Sequence, residues 1–139
     1  MAVKSAREII SQDELEIRDL IEQWVASVRA EDREGIRAAH DSEILMFDVP
    51  PPFSSQGLEE YMATWELFFS RSERAASFGL ANVKVTAGND VGFATATGRC
   101  ADFDAAGKGQ PLQFRLTMGF RKTEGRWRIV HEHHSVPAE

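Results

Sequence analysis

The chain contains a single cysteine, Cys100, so no disulfide can form within it, and this usage fits a reducing cytoplasm. No apolar run approaches the roughly 20 residues that a membrane helix needs. The opening MAVKSAREIISQDELEIRDL alternates charges with aliphatics and has no continuous apolar stretch of the kind that marks a secretory leader. Basic runs are missing as well, and 22 acidic against 16 basic residues leave a net charge of −6. A nucleic acid or an anionic membrane surface would be repelled on average. There are no repeats, no low-complexity tracts and no linkers. What remains is a chain of 139 residues, 42% apolar and 27% charged, a mixture that predicts a single domain with one core over 1–139, a loose N-terminal segment over 1–10 and a cytoplasmic location.

The first strong pattern starts at Ser11. Ser11 and Glu14 have the spacing of a capping box. Ile17, Leu20, Ile21, Trp24, Val25 and Val28 then recur on one helical stripe, which predicts a helix over about 12–30. Asp32 can cap a short second helix ending near His40. Residues 43–49 are strand formers, stopped by Pro50, Pro51 and Pro52. Alternation places Ile44, Met46 and Asp48 on one face of that strand and Leu45, Phe47 and Val49 on the other. Leu58, Tyr61, Met62, Trp65 and Phe69 form a second helical stripe, with Glu59 and Glu60 in its first turn, where the helix dipole favours anions. Strands follow over about 76–87, 91–103, 111–122 and 126–135, with short turns that make them antiparallel neighbours. The order predicts an α+β fold, a curved sheet folded against helices on one face.

Three of the four histidines lie in the closing strand, RIVHEHHSVP. Simple alternation along it groups Trp127, Ile129, His131 and His133 on the face turned to the helices, and Arg126, Arg128, Val130, Glu132 and His134 on the outer one. Three readings of the cluster stand side by side. His131 hydrogen-bonds a neighbour and His133 sits at a wet rim; or, with Asp48 as third ligand, the two hold a metal, although HEHH lacks the helical H-E-x-x-H spacing; or they serve proton transfer or polar recognition inside a cavity. Asp48 has two readings of its own. It either caps backbone donors before the proline turn or projects into a cavity, where burial would make it a base near neutral pH.

The capped first helix, the short second helix, FDVPPPF, GLEEYMATWELFF and GRWRIVHEHHSVP together resemble the nuclear transport factor 2-like superfamily, and within it the SnoaL-like and ketosteroid-isomerase-like proteins. The resemblance covers about residues 11–137. It implies a cone, a bent mostly antiparallel sheet around helices with a pocket at the wide end, and dimerisation through the outer sheet face. Asp48 matches the family's general base at the end of the early strand. The tyrosine and protonated aspartate of the family's oxyanion hole fall near Trp24 and Met118, neither of which reproduces the chemistry: an indole donates one hydrogen bond without a phenol's acidity, and a thioether donates none.

The functional expectation is a small, largely apolar, oxygenated molecule held in the cone. Asp48 acts as base, His131 and His133 act as donors, and the wall consists of Trp24, Phe47, Tyr61, Trp65, Phe69 and Met118. The reactions in view are isomerisation, dehydration or cyclisation, which need no cofactor and no metal. Loops 50–57 and 104–110 border the mouth. The competing expectation is a non-catalytic module of the same fold that binds a ligand or dimerises, in which Val130 and the strand near residue 91 carry the weight.

Overall fold

Ser11 caps the first helix as its spacing predicts: its hydroxyl accepts from the Glu14 backbone N–H at 3.0 Å. The structure, a computed structural model, describes residues 11–70, 72–103 and 109–138. The segment 1–10 and residues 104–108 of the 104–110 loop therefore lie outside the described residues. Helix α1 (Gln12–Arg29) buries Ile17, Ile21, Trp24 and Val28. Its first turn is tied to the far end of the sheet by Asp13, which accepts from Lys122 Nζ at 2.9 Å and from Trp127 Nε1 at 3.0 Å. The Lys122 hydrogen bond, helped by that of Trp127, holds the Asp13 carboxyl below its usual range.

Asp32 caps α2 (Arg33–Ala39) by accepting from the Gly35 N–H. This helix is fastened to α3 (Leu58–Phe69) by two paired guanidinium–carboxylate contacts, Arg33 with Glu66 and Arg37 with Glu59. Strand β1 (His40–Phe47) follows α2 directly, three residues earlier than the run of strand formers predicts. The proline triplet then turns the chain into the two-residue strand β2 (Ser55–Gln56), which pairs antiparallel with β1. Gly57 precedes α3 with φ 88°, a conformation that favours glycine, and its N–H reaches the Ile44 carbonyl at 2.8 Å.

One predicted strand start is corrected. Residues 72–77 form a short helix, α4 (Ser72–Ser77), and strand β3 (Gly79–Ala87) begins only after Phe78. Strands β4 (Val91–Phe103), β5 (Gly109–Thr123) and β6 (Arg126–Ser135) match their predicted spans closely. The six strands form one curved, unclosed sheet in the order β2-β1-β6-β5-β4-β3. All neighbours are antiparallel except β1 and β6, which run parallel. That parallel pair sets the early strand beside the closing strand. Trp24, Trp65, Phe78, Met118, Phe120 and Ile129 belong to a single buried cluster between helices and sheet.

The closing strand does not alternate evenly. Gly119 pairs with His131 and Phe120 pairs with Ile129, so Val130 is an extra residue, a β-bulge. Past the bulge the parity of the strand inverts. Trp127 and Ile129 are buried before it, and Glu132 and His134 are buried after it.

Candidate functional site

The bulge brings Glu132 into the core. Its side chain is 0% exposed, and three donors converge on it. The Tyr61 hydroxyl donates to Oε2 at 2.7 Å, His40 Nε2 meets the same oxygen at 2.5 Å, and His134 Nε2 meets Oε1 at 2.9 Å. On its other side, His40 Nδ1 is 2.7 Å from the Ile36 carbonyl. A carbonyl only accepts, so Nδ1 carries a hydrogen. An ionised carboxylate also only accepts, so one proton lies in the bond between His40 Nε2 and Glu132. Three of the roughly four acceptor directions of this buried carboxylate are engaged, two at Oε2 and one at Oε1.

Burial pushes the Glu132 carboxyl up. The charge on His40 and the hydrogen bonds from His134 and His40 outweigh it and hold the group at about 2. For His134 burial acts downward, but the hydrogen bond and charge of Glu132, with a further contribution from Asp48, raise the imidazole above its ordinary value. The Tyr61 hydroxyl is driven well up by burial and by the Glu132 charge, so it remains a donor. The indole N–H groups of Trp24 and Trp65 act in the opposite sense on Tyr61, yet neither makes a hydrogen bond of ordinary geometry.

A cavity of about 80 Å³ lies on the open side of this network. Asp48, Val49 and Pro50 form one part of its wall, and Thr64, Trp65 and Phe68 of α3 form another. Met46, Phe78, Cys100, Leu112, Phe114 and His134 close the remainder. His134 stacks on Phe114 with ring centres 5.3 Å apart and has Nε2 occupied by Glu132. Nδ1 makes no hydrogen bond to any described residue. Asp48 is half-buried, and its Oδ1 accepts from the Val49 N–H at 2.8 Å. It thus caps the turn and borders the cavity at once.

The structure separates the other expected residues. Among the expected wall residues, Trp65 lines the cavity. Trp24, Tyr61 and Met118 are fully buried in the core behind it, and Phe69 stacks on Trp65. Phe47 is on the outer face, where both His131 and His133 meet its ring edge-on, at 5.1 and 5.4 Å. His131 is half-buried with Nδ1 2.7 Å from the Leu45 carbonyl, and His133 is exposed. The expectation that these two histidines face the helices is therefore corrected by the bulge. It also separates them from Asp48, so that three-ligand metal set does not assemble. Among the described residues no group of three His, Cys, Asp or Glu side chains is placed to hold a metal.

Glu132, His134 and His40 escaped sequence reasoning because an even alternation sent Glu132 and His134 outward. The available signal was chemical: three ionisable residues, Glu132, His133 and His134, follow one another in a strand that opens with buried Trp127 and Ile129. At least one such group points inward in either parity, and the register with β5 decides that it is Glu132 and His134 rather than His133.

The SnoaL-like domain family matches residues 17–139. Among solved structures, an NTF2-like protein of unknown function from Pseudomonas putida KT2440 is 35% identical, with 91% of this chain and 87% of that chain covered at a TM-score of 0.80. A provisionally assigned ketosteroid isomerase from Shewanella frigidimarina is 16% identical, covering 84% of this chain and 92% of that one at a TM-score of 0.70. The CaMKII hub of S. rosetta is 18% identical, covering 91% and 98% at a TM-score of 0.70. The last two share the fold alone. No curated protein matches. By its match over nearly the whole length and by its sheet, the chain belongs to the SnoaL-like family of the nuclear transport factor 2-like superfamily.

Proposed function

We propose that the cavity takes a small, largely apolar, oxygenated molecule and that Asp48 and His134 move protons on it without a cofactor, in an isomerisation, dehydration or cyclisation. The observation that carries this reading is the position of His134 on the cavity wall, with Nε2 held by Glu132. A ring fixed at Nε2 offers Nδ1 to the cavity, as acceptor when neutral and as donor when protonated. Glu132 is then a positioning residue that selects the tautomer. Asp48, on the same wall, is the second proton-transfer group, as the family resemblance implies. His134 takes the role first given to His131 and His133. A volume of about 80 Å³ favours a ligand well below drug size, for which pockets run to roughly 300–1,000 Å³.

The test uses a panel of β,γ-unsaturated ketones and β-hydroxy ketones followed by absorbance, with binding followed separately by NMR. Asp48→Asn and His134→Gln are each expected to abolish turnover of any probe the protein converts and to change binding by only a few fold. Full turnover in both variants would refute the assignment.

A second reading rests on the outer sheet face, where Val91 and Phe93 are 56% and 50% exposed. Two large apolar side chains so placed support self-association of the sheet, with or without chemistry in the cavity. The likeness in fold to a CaMKII hub supports the same reading.

A further inference from the structure

At the opposite end of the sheet from β2, α1 and the edge strand β3 enclose a groove that the cavity does not account for. Ile21, Val25 and Ala26 of α1 face Leu80 and Val83 of β3 across it. Arg29 and Leu80 belong both to this apolar stretch and to a polar recess of about 430 Å³ beyond it. Asn82, Thr97, Arg99 and Gln113 line that recess with Arg29. Among the described residues no carboxylate lines the recess, and neither Arg29 nor Arg99 has an ion-pair partner, in a chain of net charge −6. The other end of the groove carries Glu22, seven residues before Arg29 and so about 10 Å away along the helix.

Two further features shape the recess. The pairing of β3 with β4 breaks between Ala81 and Lys84, and Asn82 has φ 56°, a bulge that bends the edge strand where the recess opens. Arg18 reaches the Val83 carbonyl at 3.5 Å and covers one edge acceptor that a passing strand would need.

We propose that this groove binds a single-chain anionic amphiphile, with its carboxylate between Arg29 and Arg99 and its hydrocarbon tail along Val25, Leu80 and Val83. Charge complementarity selects the head group, because two guanidiniums with amide and hydroxyl neighbours suit a planar oxyanion. The apolar stretch that shares Arg29 selects the tail. Glu22 sets the polarity, since it repels a head group placed at the wrong end.

Octanoate, n-octanol and inorganic phosphate separate the contributions of head and tail when each is titrated into isotope-labelled full-length protein. Octanoate is expected to shift the methyl signals of Val25, Leu80 and Val83 together with the side-chain N–H signals of Arg29 and Arg99. Octanol and phosphate are each expected to bind at least tenfold more weakly. Arg29→Gln and Arg99→Gln, both at exposed positions, are each expected to weaken octanoate about tenfold. Octanoate shifts confined to Trp65 and Leu112 in the cavity would overturn the proposal, as would unchanged affinity in both variants. Phosphate binding as tightly as octanoate would overturn it too, by showing a simple anion site.

Discussion

His40 and Glu132 are 92 positions apart in the chain and 2.5 Å apart in the fold. One sits at the joint between α2 and β1, the other on the closing strand beyond the bulge. Their bond, with those from Tyr61 and His134, makes a buried charged network whose members depend on one another.

Removing the carboxylate should therefore be severe. Glu132→Gln leaves His40 and His134 without their common anion, and breaking a buried pair from one side typically costs about 3–5 kcal/mol. Tyr61→Phe removes one donor to the same oxygen and should cost about 1.5–3 kcal/mol, the range for hydrogen bonds to charged groups. Urea unfolding of both variants checks the order. A smaller loss for Glu132→Gln than for Tyr61→Phe would show that the carboxylate is not the centre of the network.

The network also sets how stability varies with pH. Glu132 is depressed from its ordinary range to about 2. Its contribution is present above the unfolded value near 4.5 and is lost as pH falls through about 2. His134 is raised. Its contribution is full below the unfolded value near 6.5 and is lost as pH rises through the higher folded value. Urea midpoints measured from pH 6 to 9 should decline in the wild type and flatten in His134→Gln. An equal decline in both would remove His134 as the cause.

Gly98 of β4 lies directly beneath the Phe114 ring, where an added Cβ would stand 2.1 Å from Cζ. Gly98→Ala must displace that ring, and with it the stacked His134. A stability loss of about 1–3 kcal/mol is expected from overpacking, along with a changed His134 imidazole signal by NMR. An unperturbed signal would mean that Phe114 yields without moving its neighbour.

Phe93→Asp tests the outer face. Phe93 is half-exposed, so the fold should survive with a change of less than about 0.5 kcal/mol, as for surface substitutions generally. If self-association runs through this face, sedimentation velocity will show a lighter species than the wild type. Identical sedimentation of the two proteins would exclude Phe93 from any interface.

Much of the fold was legible in local patterns. The stripe from Ile17 to Val28, the caps at Ser11 and Asp32 and the short turns between the late strands are decided by neighbours a few residues apart. Asp48 was legible in the same way, because its strand alternates evenly from Ile44 through Met46. Helix α4 was not, since six residues of mixed propensity ahead of Phe78 carry no period of their own.

By itself the sequence determined the element order, the buried faces of the two long helices and the presence of an acid at the end of the first long strand. Only the tertiary structure decided which histidine shares the cavity with that acid. Alternation is a property of one strand, whereas register belongs to the hydrogen bonds between strands, and the extra residue Val130 opposite Gly119 and Phe120 of β5 turns Glu132 and His134 inward. The partner that makes the inward carboxylate tolerable, His40, arrives from the other end of the chain because β1 and β6 lie side by side.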